Sequence, residues 1–363
     1  MIDSHRPTYW FHRYPRATLF GIAFSASLLA LTATELSVRI FFPGWAPTRA
    51  ERAVFWRYNE LLGWAQQPGQ EGRFVHRDFS VTVKINSQGL RDEEYSLERT
   101  EKKRMLVLGD SFGWGFGVEQ HERFTELLEA KHRDWEIINA AVSGYGTGQQ
   151  FLYLKNRGMH YLPDVVLLLF FRNDFGDNVC SEGYWYFKPS FNLIDEHLCL
   201  RNVPVPQATL GQKLNRFFYG RTYFVAKLYY FAYALRLLLE SPPSKGNHEI
   251  NPVPLNKQDK KYSVTRHLLA AINTLCQQNS ARFILVSIPM PAAEKTILSD
   301  LSAKENIPYL PLDPYFLNFE RQATFPHDEH WNACGHQIAA HALEQFLKDI
   351  DVFGARLNST EAQ

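Results

Sequence analysis

From about residue 103 onward, short unbroken apolar runs alternate with stretches whose apolar residues recur every three to four positions. Met105–Leu108, Ile137–Ile138 and Val165–Phe171 are such runs, joined by the largely apolar Arg282–Ile288 and a short stretch near Pro308–Leu312. Runs this short, apolar on both faces and bounded by charge or glycine, read as interior strands of a parallel sheet. Between and after them, Phe124, Leu127 and Leu128, the stretch Val264 to Gln278, and Ile338, Ala339, Ala342, Leu343 and Phe346 keep helical spacing. Strand and helix in alternation predict an α/β fold.

Upstream the pattern changes twice. Ala17 to Thr34 is an uncharged, largely apolar stretch of eighteen residues, enough to cross about 27 Å as a helix. Arg6, Arg13 and Arg16 precede it, and Glu35 and Arg39 close it. The positive-inside bias then holds the N-terminus in the cytoplasm and exports the rest. A signal anchor fits better than a cleaved signal peptide, because the stretch exceeds a usual h-region and no small-x-small site follows. A buried helix among so many arginines fits least. Between Trp45 and Thr100, Phe74 to Ile85 alternates toward its end as a half-exposed strand does, and Asn86-Ser-Gln-Gly89 reads as a turn. This is a small β appendage.

The candidate chemistry comes in four pieces. The first apolar run ends in Gly109-Asp110-Ser111. Glycine permits a sharp turn at the C-terminal edge of the sheet, where open α/β sheets place their sites. Ser111 sits at the crest, beside backbone N–H groups that begin an oxyanion site. Alone, the tripeptide is an ordinary turn. Gly144 follows the next strand and can bring its N–H close to an oxyanion, or can simply punctuate a loop. Asn173 follows the third run, where its amide can face the same oxyanion or cap a turn. In Pro326-His-Asp-Glu-His330, His330 has the chemistry of a general base for Ser111, and Asp328 that of a carboxylate fixing its tautomer. His327 and His336 lie nearby, and His336 falls inside a helical pattern as a packing or capping group. A zinc site is the competing reading of this cluster, but its spacing fits no standard ligand pattern.

Taken together, Ser111, Gly144, Asn173 and His330, in that order, resemble the four blocks of the SGNH hydrolases, also called GDSL esterases. The resemblance spans roughly Lys103 to Leu347. It departs from the family pattern in having one residue rather than two between Asp328 and His330, and Phe171 in place of the third-block glycine. Glu329 or a backbone carbonyl is then an alternative partner for the imidazole. Gly89-Leu-Arg-Asp92 resembles a segment upstream of the serine block in envelope-anchored members. The resemblance implies a three-layer α/β/α, flavodoxin-like domain with a five-strand parallel sheet. It implies Ser111, His330 and Asp328 as catalytic residues, and an oxyanion hole from Ser111, Gly144 and Asn173. No cofactor and no metal are implied.

The expected organisation is a cytoplasmic N-terminus (1–16), a transmembrane anchor (17–36), the β appendage (37–100), a hydrolase domain (101–350) with an insertion at 176–260, and a tail (351–363). The insertion is aromatic at Tyr184, Trp185, Tyr186 and Phe187, helical from Phe217 to Leu239, and linker-like from Ser241 to Lys261. Net charge is +1, from 39 Lys and Arg against 38 Asp and Glu, with no basic run, so nucleic acid is not implied. Of four cysteines, Cys180 and Cys199 are the pair a disulfide would join in an oxidising compartment, while Cys276 and Cys334 sit in helical patterns. The expected activity is hydrolysis of acyl, especially acetyl, esters on envelope carbohydrate or lipid, by an exported domain on the inner membrane. The alternatives are an O-acyltransferase acting on an exported polysaccharide with a membrane acyl-donor protein, and a non-catalytic scaffold.

Overall fold

The computed structural model describes residues 13–41, 52–183, 186–219, 222, 224, 228 and 260–353. Arg6, Trp45, Tyr184, Trp185, most of the expected helical segment Phe217 to Leu239, most of the linker Ser241 to Lys261 and most of the tail lie outside these residues. The chain forms two units, one holding 13–41 with the described residues between 214 and 228, the other holding 52–213 and 260–353.

In the first unit, helix α1 (Pro15–Phe41) runs unbroken for 27 residues, about 40 Å. None of its residues is buried, and it is long and apolar enough to cross a membrane. Beyond the apolar stretch Glu35 and Arg39, one turn apart, pair at 2.8 Å on its surface, which supports the last turns by a few tenths of a kcal/mol. Glu35 also accepts the Phe224 N–H at 2.9 Å.

The second unit opens with two antiparallel pairs, β1 (Trp56–Asn59) with β2 (Gly63–Gln66), and β3 (Glu71–Val75) with β4 (Ser80–Lys84). The expected single strand from Phe74 is thus a hairpin, with a four-residue turn, His76 to Phe79, where the alternation changes phase. Phe74, Val81 and Val83 face inward and are buried.

The sheet follows. Strand β5 (Lys103–Leu108) leads through the one-turn helix α2 (Ser111–Trp114) into α3 (Phe124–Lys131) and β6 (Trp135–Asn139). Helix α4 (Thr147–Asn156), strand β7 (Val165–Phe170) and the single turn α5 (Asp174–Asp177) come next. The hairpin of β8 (Ser190–Ile194) and β9 (His197–Arg201) and helix α6 (Leu210–Tyr219) lie within the expected insertion. The core then resumes with α7 (Lys260–Gln278), β10 (Arg282–Ser287), α8 (Ala292–Lys304) and β11 (Tyr309–Pro311). A short hairpin of β12 (Thr324–Phe325) and β13 (Asp328–Trp331) precedes the last helix, α9 (Ala333–Asp349).

Strands β11, β10, β7, β5 and β6 lie side by side in that order and are all parallel. This is a three-layer α/β/α fold with the flavodoxin-like strand order. Alternation along β5 explains the layers: Met105 and Val107 pack with Phe124, Leu128, Ala339 and Leu343 on one face. Leu106 and Leu108 pack with Leu154, Leu269, Ile272 and Leu298 on the other. Each such side chain contributes about 1.5–3 kcal/mol by leaving water. The chain reverses direction across the sheet between β5 and β7, and open sheets bind ligands at such a switch point, beyond the strands' carboxyl ends.

All four cysteines are free thiols, so Cys180 and Cys199 are not bonded; Cys180 is exposed and Cys199 lies part-exposed on the β8–β9 hairpin. Cys276 is buried on α7, where burial pushes its thiol up to about 12; Cys334 is only half-buried.

His336 joins α9 to α3. Its Nδ1 accepts the Phe124 N–H at 3.3 Å, satisfying a donor that the first turn of α3 cannot satisfy internally. Burial, reinforced by Arg123 and Arg91, pushes this imidazole down to about 3. The native state therefore keeps His336 neutral, whereas the unfolded chain protonates it near 6.5. Its contribution is present above that pH and is lost as pH falls toward about 3. Denaturation titrations should show wild-type stability declining more steeply below pH 6.5 than that of His336→Leu, by up to about 1.4 kcal/mol per pH unit.

Candidate active site

Three loops meet beyond the carboxyl ends of β6, β5 and β7. The central one carries Ser111 at the start of α2. Asp110, buried, caps that turn by accepting the Phe112 N–H at 2.9 Å. Gly109 and Gly113 let the turn sink between the neighbouring strands. A Cβ on Gly109 would meet Leu169 Cβ at 3.3 Å, and one on Gly113 would meet Ala141 Cβ at 2.7 Å, inside any real contact. Both pinch points are glycines because Leu169 and Ala141 crowd the turn and leave little room for a side chain.

His330 arrives from β13. Its Nε2 lies 2.7 Å from Ser111 Oγ, and its Nδ1 is hydrogen-bonded to Asp328 Oδ1. The same Asp328 oxygen accepts the His330 backbone N–H at 2.9 Å. The Asp-x-His spacing follows from the strand: residues two apart in an extended chain share a face, and the residue between faces away. Glu329 is accordingly exposed, while Asp328 and His330 are half-buried. Burial works against the Asp328 charge, but the hydrogen bonds and charge of His330 outweigh it and hold the carboxyl below its usual range. The imidazole lies between two rings, stacked on Phe116 at 4.1 Å and tilted against Phe112 at 4.8 Å. Phe171, two residues before Asn173, packs its ring on Phe112 at 4.8 Å.

Gly144 has φ near +84°, a conformation that favours glycine. Both of its neighbours are fixed on β2: Trp64 Nε1 donates to the Ser143 carbonyl at 3.2 Å, and the Tyr145 hydroxyl donates to the Trp64 carbonyl at 2.6 Å. Asn173 opens α5. One hydrogen of its amide is engaged with Asp177 Oδ2 at 2.8 Å, which leaves the second for another acceptor. Next to it, Asp174 is buried and accepts the Thr147 hydroxyl at 2.7 Å, tying α5 to the end of the Gly144 loop. Burial, with Asp110 close by, pushes the Asp174 carboxyl well above its usual range.

The other histidines of the C-terminal cluster go elsewhere, His336 to Phe124 and His327 to Asp78, at 2.6 Å. Among the described residues, no group of three or more His, Cys, Asp or Glu is arranged to hold a metal ion.

Behind these loops stands a polar frame built on Gly89-Leu-Arg-Asp92, a segment the sequence singles out without giving its role. Arg91 is 1% exposed and stacks on Trp114 at 4.7 Å. Its guanidinium donates to the carbonyls of Gly115 (2.6 Å), Val118 (2.7 Å), Trp114 (3.1 Å) and Thr82 (3.3 Å). Asp92 accepts the Asn139 N–H at 2.6 Å, and Asn139 Nδ2 reaches the Gly113 carbonyl at 2.8 Å. Arg123 bonds the Arg91 carbonyl, Asp92 and Glu126. Gly89-Leu-Arg-Asp92 is therefore the brace of the Ser111 turn, with Gly89 at φ +84° opening it.

No protein-family model and no curated protein matches the chain. Solved structures that it is similar to include TesA, at 12% identity and a TM-score of 0.42, covering 68% of this chain and 99% of that one. A psychrotrophic esterase, EstA from a Pseudoalteromonas species, inhibited by monoethylphosphonate, gives 14% identity and 0.41, covering 69% and 98%. A G-D-S-L family lipolytic protein from Desulfitobacterium hafniense gives 10% and 0.38, covering 68% and 100%. At such identities and scores these likenesses do not identify the chain.

Replacing Arg91 by methionine keeps the apolar stem over Trp114 and removes every donor to those carbonyls. Chemical denaturation followed by tryptophan fluorescence should show a loss of about 3–5 kcal/mol, because four carbonyls lose a donor at once and each buried polar group left unpaired costs about 1–3 kcal/mol.

Proposed function

We propose that the chain is a serine hydrolase of the SGNH type, acting on acyl esters through Ser111. The observation that carries this reading is the relay from Ser111 Oγ to His330 Nε2 and from His330 Nδ1 to Asp328, at the switch point of the sheet. His330 takes the Ser111 proton as Oγ attacks the ester carbonyl, and Asp328 stabilises the imidazolium that forms. The tetrahedral oxyanion is received by the N–H groups of Ser111 and Gly144 and by the Asn173 amide. His330 then returns its proton to the leaving alkoxide, giving an acyl-enzyme that a second acceptor resolves. Each oxyanion donor is worth about 3–4 kcal/mol of barrier.

Water as that acceptor makes the protein an esterase; a sugar hydroxyl makes it an O-acyltransferase with the same serine, base and hole. The preference for an ester of exported carbohydrate or lipid, acetyl above all, rests on α1, which can tether the catalytic unit to a membrane, and on the arginines before it. On this reading the protein is a single-pass protein of the inner membrane with its catalytic unit outside. A scaffold role is disfavoured because binding alone does not require a serine, an imidazole and a carboxylate in register.

The full chain in detergent, given p-nitrophenyl acetate and butyrate with and without an oligosaccharide acceptor, tests this. Turnover that Ser111→Ala abolishes, with no stimulation by the sugar, is the esterase result. Acetylated sugar made only when Ser111 is present is the transferase result. Turnover unaffected by Ser111→Ala would refute the proposed nucleophile, and its complete absence from the wild type would favour a scaffold. For Asn173→Ala the expected outcome is a fall in kcat of about 100- to 1,000-fold with KM little changed.

A further inference from the structure

The strand that carries Asp328 and His330 is weakly held by its own hairpin. Only Thr324 with Trp331 and Phe325 with Asp328 are paired across it, and the register slips between the two pairs. A ribbon this short is marginal by itself, yet catalysis through His330 needs its imidazole fixed to within a fraction of an ångström.

The tip of the β3–β4 hairpin supplies what is missing. His76 donates its N–H to the Phe79 carbonyl at 2.9 Å, closing the turn, and its Nδ1 lies 3.4 Å from the Asp78 N–H. The turn delivers Asp78, whose side chain is 5% exposed, to His327. Asp78 Oδ1 lies 2.6 Å from His327 Nδ1, and Oδ2 accepts the His327 backbone N–H at 3.1 Å. One carboxylate thus grips both the ring and the backbone of the residue just before β13. Apolar contacts reinforce the grip. The Phe79 ring lies 5.0 Å from Phe325 and 5.3 Å from Phe116, the ring that stacks on His330. Gly117, at φ +84°, makes the meeting feasible: a Cβ there would stand 2.6 Å from Phe325 and 2.7 Å from Phe79. His76 also lies near enough to Asp328 to favour its charge.

We propose that Asp78 is a positioning residue for the Ser111–His330 pair, acting through His327, and that the His76–Phe79 turn is thereby part of the active site. The proposal rests on the catalytic reading of Ser111 and His330. Asp78 touches no reacting atom; it fixes where β13 starts, and so the angle at which His330 presents Nε2 to Ser111.

The test uses the full chain in detergent and four proteins: wild type, Asp78→Ala, Asp328→Ala and the double variant. Hydrolysis of p-nitrophenyl acetate and the rate of Ser111 labelling by a fluorophosphonate are read on each. Asp78→Ala should lower kcat and the labelling rate by about 10- to 100-fold with KM within about twofold. In the Asp328→Ala background the same substitution should cost less than about threefold, because both residues act through one imidazole. Asp78→Asn, which keeps an acceptor for the His327 N–H, should recover part of the rate. Equal losses in the two backgrounds, or a lowered melting temperature with kcat unchanged, would reduce Asp78 to a packing residue and overturn the proposal. A wild type inert to both ester and fluorophosphonate would instead overturn the catalytic reading, and the positioning role with it.

Discussion

The hydrogen bond between Ser111 Oγ and His330 Nε2 joins residues 219 positions apart in the chain. Such a bond contributes about 1 kcal/mol net, because water offers both partners an alternative. That is far less than the entropy lost in fixing two side chains and closing the loop between them. The bond therefore cannot assemble the site; each partner must be delivered to its place by something stronger. For Ser111 that is the centre of the parallel sheet, where β5 is paired on both sides and buried on both faces. For His330 the local ribbon is short, and its support comes from the side chains packed around it.

Much of that support is contributed by residues ahead of the sheet. Trp64 on β2 fixes both neighbours of Gly144, and Arg91 caps four carbonyls, three of them on the chain leaving Ser111. These contacts are polar and buried, which makes them costly to break and directional, whereas apolar packing alone would leave the loops free to slide. A buried guanidinium suits this work because its planar fork reaches several carbonyls at once and stays charged where it is buried. The segment from 52 to 100 is in this sense the back wall of the site.

The parts legible in the sequence are those with a local signature. Parallel strands buried on both faces leave apolar runs, so β5, β7 and β10 are legible in the sequence, and with them Ser111 between Gly109 and Gly113. The Asp328–His330 contact is half legible: a separation of two suits a strand, but Asp-Glu-His-Trp has no apolar alternation to announce one, and only the extended backbone turns Glu329 away. The turn at His76 is not legible, because Phe74, Val75 and Phe79 surround it and Asp78 is its single turn-favouring residue. The Asp78–His327 pair, 249 positions apart, and the Arg91 brace leave no periodic trace, since each is a single polar residue whose partner lies in another element. The disulfide suggested by Cys180 and Cys199 rests on compartment reasoning rather than geometry, and both are free thiols in the folded chain.

The most direct measurement of the central claim is trapping of the covalent intermediate. The full chain would be mixed with an activated acetate ester, quenched in acid within the first turnover, digested, and its peptides sequenced by mass spectrometry. The account predicts one added acetyl group, carried by Ser111, that accumulates before steady state and decays when the ester is exhausted. An acetyl group on another residue, or turnover with no covalent adduct at any time, would contradict it.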